Sequence, residues 1–310
     1  MENIRNFIKT KTVVVFLIAL VIMMIIVKPA SFLSANNTIN ILVQISSYGM
    51  VAYAMTFAII CGEFDLSVSS TFAMSTILYI DISSKMNVPM GMLCALLFGL
   101  GIGAINGYLV SKHKMSAFIV TLATMVAVKG LALFYTDTPI SINSDAIYEI
   151  GNGTFLGIPY IVYVFFAVLV IAQIILTKTQ FGRNLYATGG NESVAKVAGI
   201  HVGFYKFIIF VILGGMSAFG AIFFASRLNA GSALYANDLA LYCVAATVIG
   251  GTRLTGGSGS ALRTFLGLLV MGILFNGLTL LKIDASYQNI IKGAVVIAVV
   301  AMDSLTKKQK

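Results

Sequence analysis

Apolar residues along this chain come in unbroken runs, and charged residues are confined to the short gaps between them. The runs last roughly 15 to 22 residues, the length a helix needs to cross a ~30 Å hydrocarbon core. They lack the apolar/polar alternation of a membrane barrel strand. Because backbone polar groups cannot stay unpaired in lipid, such runs predict a bundle of transmembrane helices. We place spans at about 12–28, 39–60, 68–83, 89–110, 116–135, 158–177, 206–226, 234–250, 262–281 and 287–303. The expectation is one all-α integral membrane domain over residues 1–310. With ten spans, the second to fifth and the seventh to tenth flank an odd helix, and counting alone relates them as an inverted repeat.

Composition agrees. The chain is 59% apolar and 10% charged, whereas a soluble domain carries about 25% charged residues. The first run, Val13 to Val27, follows Arg5, Lys9 and Lys11 as a signal peptide's apolar stretch would. Lys28-Pro29 ends it with no small-x-small pattern after it, so a membrane anchor is expected.

The net charge of +9 changes the picture only through its placement. The basic residues sit at the ends of apolar runs and form no stripe on a soluble face, which argues against nucleic acid. If both termini are cytoplasmic, the inner segments hold fourteen Lys and Arg, from Arg5, Lys9 and Lys11 to Lys307, Lys308 and Lys310, and the outer segments only Lys28, Lys85, Arg227 and Lys282. That bias predicts a multi-pass inner-membrane protein with cytoplasmic termini. Lys129 and Lys292 lie inside spans but near outer ends, and snorkelling to the interface is expected of both. Cys61, Cys94 and Cys243 are widely spaced and read as buried thiols, with neither metal nor disulfide.

Three polar segments interrupt the bundle. The inner loop at about 178–205 contains a short helix. Asn191 can cap it, Glu192 suits its first turn, Lys196 lies four residues on, and Gly199 can close it. An isolated helix of that length is unstable in water, so it packs on its own bundle or on a partner. The second segment runs from Cys61 to Ser70. There Asp65 or Ser67 can cap the third span, and Glu63 and Asp65 either border an aqueous path or face water at a helix start. The third, Ile249 to Ala261, carries five glycines. It lacks the Gly-Lys pair of a phosphate-binding loop, so it reads as a tight turn that lets helices approach.

Within the spans the polar groups are mild: Gln44, Ser46, Ser47, Tyr48, Thr56, Asn106, Thr121, Thr124, Thr247 and Asn276. Amides, hydroxyls and aromatic neighbours suit a neutral hydroxyl-bearing solute better than an ion, although each group alone also serves as an interhelical hydrogen bond. From these, Gln44, Ser46, Tyr48, Asn106, Thr121, Thr124 and Asn276, with Glu63, Asp65 and Ser67, are candidates for a translocation path. The span interiors offer no obvious acid of the kind a proton- or sodium-coupled carrier requires. Hydrolytic motifs are missing as well, so no enzyme is expected.

The segments G-E-F-D-L-S-V-S-S, F-G-R-N-L-Y-A-T-G-G-N-E-S-V-A-K-V-A-G-I and V-I-G-G-T-R-L-T-G-G-S-G-S occur in this order along nearly the whole chain. Together they resemble the permeases of ribose, xylose and autoinducer-2 type ABC importers. The chain departs from that pattern at Cys61, Glu63 and Ser69. The resemblance implies two permease copies, identical or related, with cytoplasmic ATP-binding subunits below and an extracytoplasmic solute-binding protein outside. ATP and Mg would sit on those subunits, and this chain would bind no cofactor or metal. It also implies that Gly189, Gly190, Asn191, Glu192, Lys196, Ala198 and Gly199 form the helix that couples to the ATPase. The expected cargo is a small sugar; nucleosides and branched-chain amino acids are the nearest alternatives.

Overall fold

A computed structural model describes the backbone of residues 2–305 and the side chains of 13–298. The basic residues expected to mark both termini, Arg5, Lys9, Lys11, Lys307, Lys308 and Lys310, therefore have side chains outside the described residues.

The elements run α1 (Glu2–Val27), α2 (Pro29–Phe32), α3 (Ala35–Ile60), α4 (Val68–Lys85), α5 (Val88–Ser111), α6 (Ala117–Tyr135), β1 (Ile140–Ser141), α7 (Asp145–Asn152), β2 (Thr154–Phe155) and β3 (Ile158–Pro159). There follow α8 (Tyr160–Lys178), α9 (Gln180–Gly190), α10 (Glu192–Val197), α11 (Val202–Leu228), β4 (Ala230–Gly231), α12 (Leu239–Ile249), α13 (Ala261–Leu280) and α14 (Ala285–Leu305). Among the described residues, six helices are long and apolar enough to cross a membrane on length and composition alone, and shorter apolar helices accompany them. The strands form only two-residue pairs in connectors.

One expected span is corrected. In place of a helix over 234–250, α12 has 11 residues, about 17 Å at 1.5 Å per residue, roughly half of a hydrocarbon core. Its entry is irregular. β4 pairs with β1 through Ile140↔Gly231 and Ser141↔Ala230, and Ala236 takes a left-handed φ of 55°. Apolar composition marks residues that tolerate lipid without saying whether their backbone is helical. Such backbone survives at membrane depth only when buried in protein or facing water.

The packing is two-fold in pattern. α3 and α11 cross antiparallel: Glu63, just past α3, reaches Lys206 at the head of α11, and the Ser47 carbonyl lies against Gly220. α4 packs on α5, α6 and α11, and in the other half α12 packs on α13, α14 and α3. Likewise α5 lies on α11 while α13 lies on α3. Aligning the halves by this packing exposes matched residue pairs: Asp65-Leu66 with Asp238-Leu239 and Asn106-Gly107 with Asn276-Gly277.

Two sequence devices hold the bundle closed. On α5, Gly99, Gly103 and Gly107 recur every fourth residue. A Cβ there would strike the backbone of Gly214, Phe210 and Phe207 on α11. The absent side chains let the two backbones touch, which is how helices associate where no hydrophobic force separates protein from lipid. At the core, every residue of α3 from Gly49 to Ile60 is buried. By contrast α6 shows lipid a row of large apolar side chains, including Ile119, Val126 and Phe134.

Candidate functional site

The site is built at the end of the bundle where α3 finishes. Asn191 is extended backbone between α9 and α10, and its side-chain oxygen accepts from the Val194 amide at 3.1 Å. Glu192 and Lys196 follow on α10. Gly199 turns the chain away with a φ of 80°. α9, packed on the core through Phe181 and Leu185, carries Gly189 and Gly190 at its last turn.

Three backbone segments meet there. A Cβ on Gly189 would overlap the Ile60 carbonyl at the end of α3, and one on Gly256 or Gly257 would crowd Gly189 and Gly190. The Gly257 amide donates to that same Ile60 carbonyl at 2.8 Å. Tyr186, on α9, donates its hydroxyl to the Gly259 carbonyl at 2.9 Å. The α9–α10 turn is thus keyed onto both α3 and the glycine-rich loop that leads into α13, by direct backbone contact at Gly189 and by the Tyr186 side chain. Gly190 has open space where its Cβ would stand, so Gly189 is the position that enforces contact.

Charges complete the corner. Lys206 Nζ bridges Glu63 Oε1 at 2.8 Å and Glu192 Oε2 at 2.9 Å, and Lys196 holds the other Glu192 oxygen at 2.7 Å. The hydrogen bonds from Lys196 and then Lys206 hold the Glu192 carboxyl at about 2, well below the usual carboxylate range. Glu63, named from sequence as a path candidate, is here the counter-charge that ties the α3–α4 connector to α10 and α11. An open depression of about 610 Å³ runs beside this network, lined by Lys114, Lys196 and Lys206 among others.

Behind the corner lies a second, buried polar network. Asp65 Oδ1 accepts from the Ser67 amide at 2.7 Å and from the Ser67 hydroxyl at 2.6 Å. Asn106 Nδ2 donates to Ser67 Oγ at 2.9 Å, and Thr124 donates to Asn106 Oδ1 at 2.7 Å. Asp65, rather than Ser67, therefore satisfies the amide at the start of α4. The network joins the connector to α5 and α6.

The remaining path candidates scatter. Ser46 and Thr121 donate to carbonyls one turn back in their own helices, at 2.6 and 2.7 Å. Asn276 exchanges hydrogen bonds with Asn37, at 2.8 and 3.1 Å. Gln44 is exposed on α3. Tyr48 packs among Phe72, Phe224 and Tyr242. Lys129 and Lys292 both turn onto the connector that precedes α12. The candidates named from sequence left out Lys206 and Tyr186, whereas Gly256 and Gly257 lie in the segment read there as a tight turn that lets helices approach. The signal for Lys206 was the unexplained Glu63 charge, which needs a basic partner.

A family model described as branched-chain amino acid transport system / permease component matches residues 37–300. The chain belongs to this permease family. Among relatives of the permease, the Bacillus subtilis ribose import permease protein RbsC is 39% identical over 93% of this chain and 90% of its own. Its Haemophilus influenzae counterpart is 36% identical, covering 94% and 93%. The Escherichia coli L-arabinose transport system permease protein AraH is 35% identical, covering 90% and 86%. No solved structure gives a significant match to the permease. It is a multi-pass membrane protein and a transport component, not a catalyst.

Proposed function

We propose that this permease is the membrane subunit of an ATP-driven importer for a small sugar, monosaccharide or polyol in size. It lies in the inner membrane with both termini and α10 on the cytoplasmic face. It pairs with a second permease copy, identical or related. Cytoplasmic subunits bind the ATP and Mg, and an extracytoplasmic binding protein delivers solute. The names of the ribose and arabinose permease relatives support the cargo class. The chain makes no chemical bond.

The backbone contact of Gly189 with Ile60 and of Gly256 with Gly189 carries the reading. A partner that pushes α10 cannot move it alone. Displacement passes through Ile60 and the Lys206 bridge to the α3–α4 connector, then through Asp65, Ser67 and Asn106 to α4, α5 and α6. A parallel route passes through the glycine-rich loop to α13. Both halves of the repeat therefore feel one push, as alternating access about a central site requires.

The test is uptake by vesicles holding the permease with its ATPase and binding protein. Radiolabelled ribose or L-arabinose should accumulate only with ATP on the α10 side. Accumulation that persists without ATP, or that occurs with leucine and neither sugar, would overturn the proposal.

A further inference from the structure

Lys129 and Lys292 lie on α6 and α14, the last long helix of each half, and each is followed by glycine. Lys129 lies six residues before the end of α6, and Lys292 seven after the start of α14, so both sit about 9–10 Å inside their helices. Each could extend to the interface. Instead they converge on one short segment from different sides.

Lys129 Nζ donates to the Ala233 carbonyl and, at 2.6 Å, to Asn237 Oδ1. Lys292 Nζ meets Asp238 Oδ2 at 2.7 Å. Asn237 is itself aimed by its Nδ2, which donates to the Leu234 carbonyl at 3.0 Å. The segment lies deep: Gly231, just before it, rests on Thr76 midway along α4, and Ala240, just after it, donates to Ser69 Oγ at 2.9 Å.

This polar group is neither buried nor able to face lipid. The Asp238 and Lys292 side chains are 38% and 31% exposed, and Asn237 is exposed. Irregular backbone carrying charge at such depth needs water or protein beside it. Tyr235 packs on Phe224 at 5.4 Å, and Phe224 stacks on Tyr48 at 5.9 Å. Lys292 Nζ also lies 5.4 Å from the centre of the Phe275 ring.

We propose that Asn237 and Asp238, held by Lys129 and Lys292 and bordered by the Phe275 ring, form a solute-contact site in the translocation path that takes the hydroxyls of a small neutral sugar. This rests on the transport reading above. A sugar offers a hydroxylated edge and an apolar face, and the cluster offers a carboxylate, an amide, two ammonium groups and a ring. Each ammonium carries three donors and a carboxylate about four acceptor positions, more than the present contacts use. Hydroxyls can therefore join or replace the lysine contacts without stranding a charge.

The test uses the complete transporter in vesicles with Asn237→Cys, treated with a membrane-impermeant cationic thiosulfonate. Modification should run at least about tenfold faster than at the native cysteines, because thiol reactivity follows exposure. Ribose or L-arabinose under turnover should slow it. In parallel, Asp238→Asn should change the ribose-to-arabinose uptake ratio by about fivefold, since a site built to bond hydroxyls discriminates through them, and Asp238→Glu should restore it in part. Labelling no faster than at the native cysteines, or fast labelling that neither sugar slows in a transporter that takes one up, would overturn the proposal. So would an unchanged uptake ratio in Asp238→Asn. Failure of the unmutated transporter to take up either sugar would refute the transport reading first, and this site with it.

Discussion

Replacing Lys206 with Met removes the one cation among the described residues that touches both the α3–α4 connector and α10, while keeping most of its apolar stem. Lys206 and Glu63 are only 18% and 15% exposed, and Glu192 is 43% exposed and keeps Lys196. The half-solvated pair to Glu192 contributes no more than about 0.5 kcal/mol. The Glu63 bond, charge-assisted and shielded, contributes about 1.5–3 kcal/mol, and its loss leaves a carboxylate short of a partner. The docked arrangement of α10 should therefore weaken by about 2–3 kcal/mol, a factor of roughly 30 to 150. The assay is sugar taken up per ATP hydrolysed in vesicles, with binding of the ATPase measured alongside. Lys206→Met should lower that ratio at least tenfold, and adding Glu63→Gln, which removes the stranded charge, should recover part of it. A single variant with normal coupling, or a double variant no better than the single, would refute the reasoning.

Gly189→Ala places a Cβ in the Ile60 carbonyl; it should lower the melting temperature in detergent by several degrees and reduce ATPase binding, whereas Gly190→Ala, with open space, should do neither. Glu192 offers a pH test: its carboxyl is held at about 2 against about 4.3 when unfolded. Its stabilisation is thus full above the unfolded value and is lost as pH falls through the folded one. Protection of α10 from proteolysis should accordingly hold at pH 5 and decay between about 4 and 2, and Glu192→Gln should remove that acid limb. Asn106→Leu strips Ser67 of a donor and Thr124 of an acceptor; about 1–3 kcal/mol of stability should go, visible as a lowered denaturation midpoint.

Apolar run length located the long helices well, because lipid leaves little choice of backbone. The capped helix at Asn191 was also legible, since its start and stop signals are local. α12 was not: the expected span ran through Asn237 and Asp238, a polar break whose meaning shows only when the contacts of β4 with β1 and of Ala240 with Ser69 turn the chain there. The path candidates were chosen by side-chain type, which cannot separate Asn106, spent on Asp65 and Ser67, from Asn237, which looks outward. Asp238 sits inside an expected span and went unremarked. Its acid-leucine pair echoes Asp65-Leu66, but one echo of two residues says little until packing aligns the halves.

The glycine row on α5 has an implication for biosynthesis. Its partner, α11, emerges from the ribosome nearly a hundred residues later, so a bare groove must wait in the membrane while α6 to α10 are made. Splitting the gene in the α8–α9 connection should then give fragments that are degraded when made singly and rescued when made together, because each fragment supplies the wall the other lacks.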